Sequence, residues 1–200
     1  MTELHEERLE VILAHLVGSG ARTVLDLGCG PGELLVRLAS RPDFERIVGL
    51  DVSPASIAEA RSRLEERGDG HPTEIELVVG SFMEPNKALA GFDAAVMLET
   101  IEHIDPDRLS RVERAVFHNY RPGLVLVTTP NVEYNPLHGM APGQTRHPDH
   151  RFEWDRARFR RWSRGVAKRS GYRVAFGDVG LPDPARGAST QMAIFKRITD

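Results

Sequence analysis

The sequence predicts an α/β fold, one mostly parallel sheet of seven strands with helices on both faces. Short apolar runs alternate with stretches of helical periodicity along most of the chain, the pattern of strands joined by crossover helices. The run at 92–98 is nearly all apolar, as a strand covered on both faces must be. Glycines follow the first strand directly and open a helix, which lets the backbone turn sharply beneath a ligand.

The elements follow in order. Residues 4–16 space their apolar side chains helically, a cap helix within residues 1–20. Val24-Leu25-Asp26-Leu27 is a short buried strand, and residues 32–39 resume the helical pattern. Ile47-Val48-Gly49-Leu50-Asp51 is a second strand, ending in an acid. Ser53 then N-caps a helix with Pro54 in its first turn, running to about Arg67. Residues 75–79 and 92–98 are the third and fourth strands, 106–120 a helix and 124–127 the fifth strand. Asp155 N-caps a helix to Ser170, with Gly171 at its C-terminal end. Residues 172–176 and 192–195 close the sheet as an antiparallel pair, joined by a Gly/Pro-rich loop at 177–190. One stretch breaks the rhythm. Residues 129–154 contain Pro130, Pro136, Pro142 and Pro148 and show no clear period. A loop that long in a compact domain is usually functional or disordered, and it is assigned here as an active-site loop.

At 200 residues the chain suits one such domain, spanning 1–200. No apolar run approaches the length of a membrane span. The first ten residues carry four glutamates and no apolar core segment, so no secretory signal is expected. Cys29 is the sole cysteine, which excludes an internal disulfide and makes a cytoplasmic location the expectation. The net charge of −3 hides an asymmetry: residues 151–173 hold nine Lys/Arg against Glu153 and Asp155 alone. A basic segment on an acidic body fits either a polyanion contact or a solvated helix face.

The glycine turn carries the first chemistry. A dinucleotide fingerprint needs G-x-G-x-x-G, but its third glycine would fall on Glu33. The actual spacing is G-x-G-x-G, through Gly28, Gly30 and Gly32, with Asp26 just before it. A carboxylate there repels a pyrophosphate and suits a cationic amino acid, so the ligand should carry an amine or a sulfonium. Asp51 can accept hydrogen bonds from the two hydroxyls of a ribose. Gly80-Ser81-Phe82 ends the third strand where an adenine would lie, although Ser81 serves equally well as a strand cap. These segments resemble motifs I to III of class I methyltransferases, a Rossmann-like fold, over residues 23–98. That resemblance implies S-adenosyl-L-methionine as cofactor, with Asp26, Gly28, Gly30, Asp51, Ser81 and Leu98 as its binding candidates.

The fourth strand runs into Glu99-Thr100-Ile101-Glu102-His103. The spacing i, i+3, i+4 puts Glu99, Glu102 and His103 on one side of a helical turn. Two carboxylates and an imidazole so placed repel one another or take up a divalent cation such as Mg²⁺ or Mn²⁺. The other reading is a solvated turn in which Glu99 merely touches the cofactor. Further ligands are available at 129–154, which offers His138, His147, His150, Asp149 and Glu133.

Three blocks resemble the small-RNA 3′-terminal 2′-O-methyltransferases, and in that family's order. They are Met97-Leu98-Glu99-Thr100-Ile101-Glu102-His103, Thr128-Thr129-Pro130-Asn131-Val132-Glu133-Tyr134-Asn135 and Asp149-His150-Arg151-Phe152-Glu153-Trp154. The resemblance implies methyl transfer to the 2′-hydroxyl of an RNA 3′ end bearing a free 2′,3′-diol. It implies one divalent metal held by Glu99, Glu102, His103 and His150, and bound in turn by both hydroxyls. His150 is favoured over His138 and His147 by its Asp-His context. The family's bacterial branch works with RNA end-repair proteins, a kinase-phosphatase and a ligase, which makes such proteins candidate partners. Members of that branch often carry a large N-terminal domain, and only a short helix precedes the first strand here.

Arg156, Arg160, Arg164, Lys168 and Arg169 are candidates for phosphate contacts, which give affinity with little sequence choice. Phe152, Trp154, Phe159 and Trp162, at helical spacing, fit a core better than a base-stacking platform. Two other readings share parts of this site. A metal-independent methyltransferase acting on a small molecule keeps the cofactor site and uses His103 and His150 as general bases. A non-catalytic RNA-end-binding module keeps only the fold, and the intact Asp26, glycine and Asp51 set argues against it.

Overall fold

The computed structural model describes residues 2–67 and 73–199. Its strands are β1 (Thr23–Leu27), β2 (Arg46–Asp51), β3 (Glu74–Val79), β4 (Ala94–Leu98), β5 (Leu124–Pro130), β6 (Tyr172–Val179) and β7 (Thr190–Arg197). They form one seven-stranded sheet in the order β3-β2-β1-β4-β5-β7-β6. The first five strands pair in parallel, and β7 is antiparallel to both β5 and β6. The chain winds outward in both directions from β1 and β4, which opens a crevice at their C-terminal ends.

The helices are α1 (Glu3–Ser19), α2 (Glu33–Ala39), α3 (Pro54–Glu66), α4 (Leu109–Val112) and α5 (Arg156–Ser170). The two-residue period of the strands feeds both faces of the sheet. Val24, Ile47, Val96 and Leu126 meet Leu9, Leu16, Leu35 and Ile57 from α1, α2 and α3. Leu25, Val48, Met97 and Val127 meet Val112, Phe117, Phe159 and Val166 from the opposite side. Each such side chain contributes about 1.5–3 kcal/mol by leaving water. The caps read from the sequence form: Ser53 accepts the Ser56 N–H at 3.2 Å and Asp155 accepts the Arg158 N–H at 2.6 Å.

The structure departs from the expectations in four places. The fourth strand begins at Ala94, because Asp93 turns its carboxylate onto the N–H groups of Arg22 and Thr23. The helix expected over 106–120 is a 3₁₀ turn, then α4, then a π-helix over Glu113–Tyr120. Its wider winding shows in the Arg121 N–H, which reaches Val116 O at 3.0 Å. The stretch 129–154 is not loop throughout. Pairing with β7 carries β5 on to Pro130, and Asn131 caps a 3₁₀ helix over Val132–His138. The Gln191 amide then ties the two ends of that stretch, donating to Pro130 O at 3.1 Å and Trp154 O at 2.8 Å. The closing strands also outrun their expected limits, since they pair along their full lengths from Tyr172↔Arg197 to Val179↔Thr190.

Candidate active site

A cleft of about 940 Å³ lies over the C-terminal ends of β1, β2 and β4. It is lined by Asp26, Gly28, Gly30, Asp51, Ser81 and Leu98 at one end and by Glu99, Glu102, His103, His147 and His150 at the other. The cofactor candidates and the four residues that the resemblance assigns to a metal all line this cleft, whereas Glu133, His138 and the α5 cations Arg156, Arg160, Arg164, Lys168 and Arg169 do not.

At the first end the glycine turn is held by backbone. The Gly28 and Cys29 N–H groups donate to Leu50 O at 2.8 and 2.9 Å. Gly28 sits at φ +83°, and a Cβ there would lie 2.5 Å from Thr100 Cγ2. Gly30 sits at φ +52° with nothing within 4 Å of its would-be Cβ, so its backbone faces open cleft. Asp51 accepts the Gly30 N–H at 2.9 Å and the Ser53 N–H at 2.8 Å, one on each oxygen. A carboxylate oxygen has a second lone pair, so both remain acceptors toward the cleft. Asp26 is 2% exposed, and its Oδ2 has no partner. Burial, with the Asp51 charge adding to it, pushes its carboxyl up to about 7. An unpartnered carboxylate beside an open glycine fits the ammonium end of S-adenosylmethionine. Ser81 Oγ accepts the Met83 N–H at 3.3 Å, so it does act as a local cap while lining the cleft.

At the other end, β4 hands over to the site through a strained residue. Glu99 has φ +50°, its N–H donating to Thr128 Oγ1 of β5 at 3.0 Å. A non-glycine residue in that region costs on the order of 1–3 kcal/mol. A 3₁₀ turn over Ile101–His103 follows. The expected single helical turn is therefore corrected: a strand end, a left-handed residue and a 3₁₀ turn bring Glu99, Glu102 and His103 to the cleft. Glu99 Oε2 meets Arg8 of α1 at 3.1 Å, while Oε1 has no partner. Glu102 is fully buried. Its Oε2 accepts Thr129 Oγ1 at 3.0 Å and its Oε1 has no partner. Burial pushes both carboxyls up, Glu102 well above its ordinary range because Glu99 also repels it. Burial and the neighbouring imidazoles of His150 and His147 push the His103 ring down, toward the neutral form that ligates metals.

The loop histidines divide. His147 and His150 join His103 in a cluster whose ligand atoms lie within 4.8 Å of one another. His138 turns away to Ser189 Oγ, 2.8 Å from its Nε2. Orphaned carboxylate oxygens and clustered imidazoles along one wall fit a divalent cation. The cluster joins His103 and His150 of the expected set with His147, and Glu99 and Glu102 supply the orphaned oxygens.

The basic helix and its aromatics have mixed roles. Arg156 pairs with Glu133 and Arg169 with Glu113, each at 2.8 Å. Arg160 and Arg164 lie over the Phe176 ring at 5.5 Å, without an ion pair among the described residues. Phe152, Trp154 and Phe159 are buried and Trp162 packs against them, so these aromatics are core. Sequence reasoning missed Arg8, Arg146 and Glu153. Arg8 arrives from a helix that gave no motif. Arg146 braces the loop through Asn131 O, Asn135 Oδ1 and Ser189 O at 2.7, 2.7 and 2.9 Å. Glu153 stood in the 149–154 block, three residues after His150, with no role assigned to it.

A switch-point cleft that presents carboxylates where a dinucleotide enzyme would cradle phosphates defines a class I, S-adenosylmethionine-dependent methyltransferase. The methyltransferase domain family matches residues 24–123. The methyltransferase domain of a bacterial CtHen1 superposes with TM-score 0.88 at 39% identity, over 98% of this chain and all of that one. The small RNA methyltransferase HEN1 superposes with TM-score 0.90 at 34% identity, over 97% of this chain and 26% of that one. A small RNA 2′-O-methyltransferase of Mus musculus is 35% identical over 97% of this chain and 51% of its own length. The chain belongs to the small RNA 2′-O-methyltransferase family, and it spans about half or less of the length of these longer relatives.

Proposed function

We propose that this chain transfers the methyl group of S-adenosylmethionine to the 2′-oxygen of the 3′-terminal nucleotide of an RNA, with one Mg²⁺ or Mn²⁺ held by Glu99, Glu102, His103 and His150. The observation that carries the proposal is the pair of carboxylates, Glu102 fully buried and Glu99 part-buried, each with one buried oxygen lacking a partner. Burying an ionised carboxylate costs several kcal/mol unless a counter-charge meets it, and Arg8 reaches only Glu99 Oε2. The names of the relatives support the substrate class.

The residues divide the work along the cleft. Asp26 receives the ammonium group of the cofactor, and Gly30 lets the backbone come against its methionine part. Asp51 accepts the cofactor's ribose hydroxyls, while Ser81 and Leu98 flank its adenine. The sulfonium carries its own leaving group, so the chain's task is in-line positioning of the acceptor. A divalent cation supplies positive charge that lowers the pKa of an alcohol oxygen and favours chelation by vicinal hydroxyls. The exposed Arg108 and Arg151 at the cleft meet the last phosphates, and Arg160 and Arg164 continue the path along α5.

Methyl transfer to matched RNA oligomers tests this, one ending in a 2′,3′-diol and one in a 3′-phosphate, with and without a chelator. The diol RNA alone should be methylated, at its terminal 2′-oxygen, and the chelator should abolish the reaction. Efficient modification of the 3′-phosphate RNA, or full activity in chelator, would refute the proposal.

A further inference from the structure

We infer that Glu153 is a positioning residue: it fixes the His150 ring so that Nε2, with its lone pair free, is the atom offered to the cleft. The inference rests on the reading of His150 as a metal ligand given above. The geometry is tight and dry. The side chains of His150 and Glu153 are 7% and 1% exposed, and His150 Nδ1 lies 2.6 Å from Glu153 Oε1. The same oxygen accepts the Arg146 N–H at 2.6 Å, and Oε2 accepts Asn135 Nδ2 at 2.6 Å.

Every group around this carboxylate is therefore a donor. Asn135 cannot turn its amide over to present an acceptor, because its Oδ1 is held by Arg146 Nε at 2.7 Å. A carboxylate surrounded by donors requires the His150 proton on Nδ1. That leaves Nε2 bare on the far side of the ring, and the charged partner raises its basicity as a ligand. His147 has the opposite arrangement. Its Nδ1 accepts the Asp149 N–H at 3.2 Å, so its neutral ring carries the proton on Nε2 and presents a donor. The clustered histidines are thus chemically distinct, and the distinction is made by Glu153 at one ring and by the Asp149 backbone at the other.

The test is Glu153→Gln in the full chain. A glutamine has the same shape, but it must place its own N–H groups against either Asn135 Nδ2 or the His150 and Arg146 donors. Manganese affinity, measured by the resonance signal of free Mn²⁺, should fall about 10–100-fold. S-adenosylmethionine affinity should stay at the parent value. Nitrogen NMR of the metal-free parent should show His150 protonated at Nδ1, and the variant should lose that preference. A merely structural role would lower the melting temperature without moving Mn²⁺ affinity or the nitrogen shifts. Unchanged Mn²⁺ affinity in the variant, or a parent His150 protonated at Nε2, overturns the inference. A parent chain that binds no Mn²⁺ overturns instead the metal in the proposed function, and the nitrogen shifts then decide the role of Glu153 by themselves.

Discussion

The cofactor end of the cleft is held largely by backbone, whereas the acceptor end is held by side chains that converge from separate segments. Around Gly28 and Asp51 the contacts are N–H groups on Leu50 O and on the Asp51 carboxylate, all within neighbouring turns. Around Glu102 the contributors come from α1, the end of β4, β5 and the loop that carries His147 and His150. The acceptor end also concentrates the cost. It holds a left-handed glutamate and two carboxyls, Glu99 and Glu102, each pushed up and with an unmet oxygen, against one such group, Asp26, at the cofactor end. Rigid preformation serves the end that binds a large ligand. The end to which the proposal assigns a cation and a reacting oxygen is held in tension, and stability and function oppose each other there.

The hardest test of this contrast is Glu102→Gln. It should reduce methyl transfer on the order of 10²–10³-fold, because several kcal/mol of charge stabilisation are lost. The metal-free protein should nevertheless become more stable, by about 1 kcal/mol, since the fold no longer has to hold a proton on a buried carboxyl that the unfolded chain gives up. Denaturant unfolding reads the second effect, and a less stable variant would mean the carboxylate pair is not under tension.

Asp26→Asn probes the other end. Loss of a charged hydrogen bond worth about 1.5–3 kcal/mol should weaken cofactor binding roughly 10–100-fold. Here pH sharpens the comparison. Asp26 sits near 7 in the free protein, raised from an ordinary 3.8. The fold therefore loses stability from this group as pH rises from the ordinary value through about 7, where the folded protein must give up its proton. A cationic ligand binds the ionised form, so below that pH each unit should weaken affinity by up to about tenfold. Calorimetry across the range should show this slope in the parent and none in the variant.

The smallest effect lies outside the cleft. Arg160→Glu with Arg164→Glu should raise the KM for RNA a few-fold and flatten its salt dependence, because fewer counterions are released. Cofactor affinity should not move. An unchanged salt slope would confine the RNA path to Arg108 and Arg151.

The same contrast explains how far the sequence could be read. Asp26, the glycines and Asp51 are legible because a strand, a turn and a helix in succession carry both the fold and the chemistry. Glu99, Glu102, His103 and His150 could be marked, but the left-handed backbone at Glu99 could not. It depends on Thr128 in the neighbouring strand, which only the sheet register brings near. Arg8 was invisible for the same reason: its partners, Glu99 and Thr190, lie far along the chain. The choice among three loop histidines reached His150 by resemblance. The presence of His147 in the cluster follows from a chain path that no local pattern encodes.

The π-helix over Glu113–Tyr120 has a consequence for insertions and deletions. Such a stretch accommodates extra residues within an α-helical path. Removing one residue there would restore ordinary winding with the flanks in register, whereas removing one from the regular turn before it, Leu109–Val112, would rotate everything beyond by about 100°. Tyr120 would then lose its grip on Phe82 O and Glu84 O, which its hydroxyl now holds at 2.7 and 2.8 Å. Those carbonyls belong to the turn after β3 that walls the cofactor end of the cleft. Length changes among related chains should therefore avoid the regular turn before the π-helix and gather in places such as the β6–β7 connection, where Leu181 projects into solvent at 82% exposure.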